Sequence, residues 1–322
     1  MPDPVIDVHA HLLFDELLGE AGELGPRLDH DAAGNATLVT GDYSFGIGRA
    51  RTTYREPAER LAALADTGID VQVVSGSPLW YFPHLDAGLV RSFARRYNDL
   101  MADWTSKGPD QLKALAVLPV QDVAAAVAEL RRAVGELGFL GACIGTDARP
   151  ELDAPELDAL YSACEDLDVP LFIHSVVAGV DGPPGDQRLR RWMRDVTLGY
   201  PFEETIAVTS LVLGGVLERH PRLDICLSHG GGAMPFLRGR VRDWVDTGAA
   251  PIDVAQFDRD YARLWFDTHL HSTRSADLLA EVANPDRLVF GTNFGGWDSA
   301  PTDESEHLPI DLAANARRLL RL

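Results

Sequence analysis

Short apolar runs alternate along this chain with longer stretches whose apolar residues recur every three or four positions. The short runs are Val5–His9, Asp70–Ser75, Ala114–Leu118, Ala142–Gly145, Leu171–His174, Asp224–His229, Leu264–Asp267 and Leu288–Gly291. Val71-Gln72-Val73-Val74 and Leu171-Phe172-Ile173 are close to continuously apolar, as strands of a sheet buried on both faces are. The intervening stretches read as helices. In Pro57–Gly68, Leu61, Leu64 and Ala65 share one face and Gly68 suits the C-terminal cap. Val123–Leu137 runs up to Gly138, and Asp153–Leu167 carries Pro155 among acidic residues suited to a helix start. Eight strand–helix units predict an α/β fold, a (β/α)8 TIM barrel forming a single domain over residues 1–322. A doubly wound sheet produces the same alternation, so the count supports the barrel without deciding it.

Two stretches interrupt the pattern and read as loop insertions after strands 1 and 5. Phe14–Thr53 is rich in Gly and Asp with weak periodicity, and Val176–Pro201 holds Gly179, Gly182, Pro183-Pro184 and Gly185. Loops of that length are commonly functional. Both follow strands at the C-terminal face, where barrels assemble active sites.

Composition narrows the class of function. With 46% hydrophobic residues the 322-residue chain has the material for a large core. A formal charge of −20 argues against nucleic acid and against an anionic membrane surface as partners. Cys143, Cys164 and Cys226 sit at long spacings in apolar surroundings and read as buried reduced thiols. Met1-Pro2-Asp3-Pro4 leads directly into a strand pattern and no apolar run reaches a membrane span, so a cytoplasmic location is expected.

The candidate chemistry lies at the strand ends. His9 and His11 are two apart at the end of the first run, and alternate strand residues face the same side. His174 closes the fifth run and His229 the sixth. Four histidines at C-terminal strand ends converge on one mouth, and three suffice for a catalytic metal that keeps a position open. Imidazole suits Zn2+, Mn2+, Fe2+ and Co2+ alike.

Asp7-Val8-His9-Ala10-His11, His174 and Ser228-His229-Gly230-Gly231-Gly232-Ala233 together resemble the amidohydrolase superfamily, and most closely its aminocarboxymuconate-semialdehyde decarboxylase branch. Trp192-Met193, Pro201-Phe202-Glu203-Glu204-Thr205, Gly215 to Pro221, Gly239-Arg240 and Asn315 to Leu320 stand in the family's order, so the resemblance covers nearly the whole chain. It implies one divalent metal, usually zinc, on His9, His11 and His174, with His229 as the acid/base group. It further implies a substrate-carboxylate arginine at Arg51, Trp192 lining the pocket, and Arg240 reaching a neighbouring subunit's site in a homodimer. A lyase acting on a small unsaturated or aromatic-derived carboxylic acid follows. A hydrolase of a small lactone or amide, and a catalytically silent member, are the alternatives.

One position departs from the family. After the eighth strand it carries an aspartate in a Gly-Thr-Asp-Tyr-Pro-Phe-like run, whereas this chain reads Gly291-Thr292-Asn293-Phe294-Gly295-Gly296-Trp297-Asp298. Asn293 offers a neutral oxygen that cannot take a proton from water. An introduced change, a natural divergence to other chemistry and a metal-free descendant all remain open, and Asp298 is a candidate to restore the missing charge. His269-Leu270-His271 follows the seventh strand, where the family has a histidine without metal duty.

Overall fold

The computed structural model describes residues 4–49, 55–296, 299 and 305–322. The strands are β1 (Ile6–Leu12), β2 (Arg27–His30), β3 (Asn35–Thr40), β4 (Tyr43–Arg49), β5 (Val71–Gly76), β6 (Leu112–Ala114), β7 (Ala116–Val117), β8 (Ala142–Gly145), β9 (Leu171–His174), β10 (Ile225–Leu227), β11 (Trp265–Asp267) and β12 (Leu288–Val289). The helices are α1 (Pro57–Thr67), α2 (Ala87–Thr105), α3 (Val123–Gly135), α4 (Asp158–Leu167), α5 (Tyr200–Leu213), α6 (Val216–Arg219), α7 (Met234–Asp246), α8 (Val254–Tyr261), α9 (Thr273–Val282) and α10 (Leu312–Leu320). Each of the eight expected runs overlaps a strand, the third meeting both β6 and β7.

The pairing is parallel in the order β1-β5-β6 and again from β7 through β12. Leu115 N donates to Val74 O (2.9 Å) and Leu140 N to Ala114 O (2.9 Å), linking the two sets. At the other end Val8 N donates to Phe290 O (2.9 Å) and His11 N to Phe294 O (2.7 Å), so the hydrogen bonding returns to the strand where it began. All seven β1 residues are buried. Ile6, Val8, Ala10 and Leu12 belong to the hydrophobic core, which leaves Asp7, His9 and His11 on the alternate face.

Acidic residues at helix starts use part of the negative composition locally. The side chains of Asp86, Asp122, Asp253 and Asp311 accept the N–H groups of Leu89, Ala125, Gln256 and Ala314 at the starts of α2, α3, α8 and α10. The first insertion is more ordered than its composition predicts. β2, β3 and β4 form an antiparallel sheet, with a two-residue turn at Gly41-Asp42 between Thr40 and Tyr43 and Gly41 at φ 55°. Gly followed by a polar residue is a hairpin signal, masked here by the Gly content around it. No helix among the described residues is long and apolar enough to cross a membrane.

Candidate active site

The strand that carries the first two histidines is anchored by buried polar groups. Asp7 is fully buried; its Oδ1 accepts the N–H groups of His9 and Thr292 (both 3.0 Å), and its Oδ2 accepts Gln72 Nε2 (2.8 Å) and Thr292 Oγ1 (2.7 Å). One carboxylate thereby joins the ends of β1, β5 and the segment after β12. Burial pushes the Asp7 carboxyl up to about 6 against the lowering effect of those hydrogen bonds. Arg60, also fully buried, donates to Gln72 Oε1 (2.6 Å) and to the carbonyl of His11 (2.8 Å), with its guanidinium 4.4 Å from the Phe294 ring centre.

On this frame the imidazoles converge. His9 Nε2 lies 3.2 Å from His11 Nε2, which lies 3.2 Å from His174 Nε2. The opposite ring nitrogens all face acceptors. His9 Nδ1 is 2.7 Å from Asp267 Oδ2, His174 Nδ1 is 2.6 Å from the Ser175 carbonyl, and His11 Nδ1 is 3.1 Å from both Ser75 Oγ and the Gly76 carbonyl. A proton on each Nδ1 satisfies these acceptors and leaves three Nε2 lone pairs directed at one region. Ligands bound at 2.0–2.1 Å in a tetrahedral set lie about 3.3 Å apart. The observed spacing therefore fits one divalent ion, and the lone pairs repel without a cation between them. Burial, then the neighbouring imidazoles of His11, His9 and His229, hold His174 well below the usual histidine range, so it is a neutral donor.

His229 follows β10 at φ 47°, a left-handed conformation that turns the chain sharply. The turn continues through Gly231 and Gly232, where side chains have no room: a Cβ on Gly232 would fall 2.1 Å from the Pro201 carbonyl oxygen, and one on Gly231 would fall 2.6 Å from the Phe266 ring. His229 Nδ1 meets Glu204 Oε1 at 2.5 Å, and Ser228 Oγ donates to the same oxygen. Glu204 is fully buried on α5. The other nitrogen, Nε2, lies 3.5 Å from Asn293 Nδ2, and one ring nitrogen from each of His9, His174 and His229 lies within 4.8 Å of the other two. Asn293 is 2% exposed at φ 51°, a left-handed position that asparagine tolerates better than most residues. Gly296 lies directly against its amide, where a Cβ would come 2.0 Å from Oδ1.

Two cavities flank this cluster. One of about 40 Å³ is bounded by His11, His174 and Asn293 and is covered by Leu38, Tyr43 and Phe45 from the β2–β4 sheet. The other, about 540 Å³, opens on His229, His269, His271, Pro235 and Phe236. Tyr200 and Val196 border both.

Of the residues expected at the site from sequence, His9, His11, His174, His229 and Asn293 come together. Arg51 and Asp298 lie outside the described residues. Trp192 is 69% exposed between the guanidiniums of Arg191 and Arg194 and borders neither cavity within the single chain. Arg240 is exposed on α7 and likewise borders neither. Two buried carboxylates were not assigned a part in the site from sequence. Glu204 was visible only within the Pro201-to-Thr205 motif. Asp267 closes β11, and its two oxygens take His9 Nδ1 and the His269 N–H (3.1 Å). A carboxylate or carbonyl on the far nitrogen of a ligating histidine fixes its tautomer and ring orientation.

A family model described as Amidohydrolase matches residues 6–322. The chain is 29% identical over 302 residues to a 2-amino-3-carboxymuconate-6-semialdehyde decarboxylase of Dictyostelium discoideum, covering 90% of this chain and 81% of the relative. It is 29% identical over 335 residues to a gamma-resorcylate decarboxylase of a Rhizobium species, covering 92% and 95%. Among solved structures, a dihydroxybenzoic acid decarboxylase from a Polaromonas species, with bound manganese and the inhibitor 2-nitroresorcinol, superposes with a TM-score of 0.78 at 22% identity over 99% of this chain and 97% of the other. That last likeness is one of fold.

Proposed function

The chain belongs to the amidohydrolase family, on the branch that holds the aminocarboxymuconate-semialdehyde and gamma-resorcylate decarboxylases, and from that membership we propose that it is a metal-dependent carboxy-lyase for a small aromatic-derived or unsaturated carboxylic acid. The observation that carries the reading is the convergence of three Nε2 atoms, with that of His11 3.2 Å from those of His9 and His174, beside a carboxylate-held His229. The proposal takes the ring of eight parallel strands as a (β/α)8 barrel with insertions after strands 1 and 5, spanning 1–322 as a single domain. Support comes from the return of hydrogen bonding from Phe290 to Val8 and from the family match over nearly the full length.

In this reading His9, His11 and His174 hold one divalent ion, Zn2+ or Mn2+ foremost. When bound, such an ion supplies Lewis acidity that takes up charge developing on substrate oxygens. The protein's own groups do the rest. Loss of carbon dioxide breaks a C–C bond and leaves its electron pair on the conjugated substrate, so that carbon must receive one proton. His229 is the group placed to deliver that proton through Nε2, because Nδ1 is committed to Glu204, which holds the ring in position. Asn293 cannot serve as the base that hydrolysis of a lactone or amide requires, which favours decarboxylation. Its amide, 3.5 Å from His229 Nε2, orients the substrate.

Arg51, Trp192 and Arg240 complete the proposal as substrate-binding groups, with Arg240 supplied across a homodimer. An arginine fork is suited to a carboxylate, and it allows a chain of net charge −20 to collect an acid. Decarboxylation is tested by carbon dioxide release from hydroxybenzoates and unsaturated dicarboxylates by the holoenzyme, with metal content measured in parallel. Near one equivalent at the histidines, lost in His174→Ala, is expected together with turnover. Full metal retention in His174→Ala, or no release from any acid by loaded enzyme, refutes the reading.

A further inference from the structure

A second set of metal-ligating side chains converges outside the histidine centre. His84, Asp147 and Asp181 each present one donor atom, all within 4.8 Å of one another. They come from segments that follow three different strands. His84 lies in the segment after β5, Asp147 two residues beyond β8, and Asp181 in the insertion after β9. Together with Thr146 and Glu203 they line a cavity of about 350 Å³ that shares no lining residue with the two cavities at the histidines. The chemistry proposed above uses none of them.

The three side chains are half-buried, and the hydrogen bonding around them is incomplete. Asp147 Oδ1 is shut away from solvent without a hydrogen-bond partner, and so is Thr146 Oγ1. Asp181 Oδ2 accepts the His84 backbone N–H at 2.8 Å, which holds the two segments together. The charges are also unbalanced. Burial, then the charges of Asp181 and Glu203, push the Asp147 carboxyl up to about 7, and burial raises Asp181 and Glu203 as well. Arg149 is the cation that lowers Asp147 and Glu203, and its Nη1 lies 3.6 Å from Glu151 Oε1. A buried carboxylate oxygen without a donor costs free energy unless a proton or a cation meets it.

We propose that His84, Asp147 and Asp181 form a second divalent-cation site that ties the insertion after β9 to the ends of β5 and β8. One imidazole with two carboxylates suits a first-row ion such as Mn2+ or Zn2+ and not the all-oxygen preference of Mg2+ or Ca2+. Donors bound at 2.0–2.2 Å lie about 3–4 Å apart, so a small contraction brings the three onto one ion. The competing account is that the two aspartates share a proton and hold no ion.

Metal content separates these accounts. Wild-type chain and Asp147→Asn are loaded with Mn2+, desalted and measured by elemental analysis, with circular dichroism confirming the fold. The site predicts that Asp147→Asn, an isosteric change, holds one equivalent fewer per chain than wild type. Equal content in the two overturns it. The difference is read independently of the histidine centre, whose own ion is removed by His174→Ala. A second measurement uses that background: Mn2+ should raise the melting temperature of His174→Ala, and adding Asp147→Asn should abolish the rise. No rise with Mn2+ in His174→Ala also overturns the proposal.

Discussion

Asp267 offers the sharpest test of how the histidine centre is built. Its carboxylate is fully buried and takes two donors, His9 Nδ1–H on Oδ2 at 2.7 Å and the His269 N–H on Oδ1 at 3.1 Å. Asp267→Asn keeps the shape but leaves one accepting oxygen for two donors. If the oxygen stays with His269, an amide N–H faces His9 Nδ1, and the ring relieves that clash by moving its proton to Nε2. The proton then occupies the lone pair that would bind the ion. If the oxygen stays with His9, a charge-assisted bond becomes a neutral one. Such bonds contribute about 1.5–3 kcal/mol against about 0.5–1.5 kcal/mol for a neutral pair. A loss of ~1–2 kcal/mol corresponds to roughly 5- to 30-fold weaker metal binding, at the lower part of the ~10- to 100-fold span for such outer partners. The assay is a chelator-competition titration with Zn2+ or Mn2+, with a melt of the metal-free protein to separate loss of fold from loss of alignment. A folded variant that binds metal as tightly as wild type refutes the assignment of Asp267 as the group that fixes His9.

Asn293→Asp places a carboxylate beside the same cluster and should tighten metal binding in the chelator titration; unchanged affinity means that position 293 does not sense the ion. Gly232→Ala forces a Cβ to within 2.1 Å of the Pro201 carbonyl at φ 67°. Left-handed strain of ~1–2 kcal/mol plus overpacking of ~1–3 kcal/mol predicts ~2–5 kcal/mol of destabilisation in a urea melt, and a loss within error refutes it. Glu204→Gln removes the charge behind His229 and should lower kcat about 10²-fold or more with KM nearly unchanged; an unchanged kcat removes His229 from the proton-transfer step. In metal-free protein, Asp147 is raised in the folded state to about 7 from 3.8. The folded state then binds the extra proton between those values, so stability falls as pH rises through that window. Asp147→Asn should flatten that slope, and an unaltered slope between pH 4 and 7 refutes the account.

The eight strands were legible because strands buried on both faces must be apolar, and each predicted run overlaps its strand. The helix over Pro57–Gly68 was legible too: Pro57 opens α1 and Gly68 caps it at φ 74°. The β2–β4 sheet was not, since a partly exposed sheet with Gly and Asp in its turns lacks the continuous apolar signal that marks the others.

By itself the sequence determined the periodicity, the histidines at the strand ends and the Asn293 departure, because each is a local property of residue type and spacing. Only the tertiary structure decided which partners complete them. Asp267 stands 258 positions from His9 and Glu204 stands 25 from His229, yet each meets its histidine directly. Hydrogen bonds act through space over about 3 Å, and chain separation says nothing about that distance until the strands have closed. The same closure brings His84, Asp147 and Asp181 to one cavity from three separate segments.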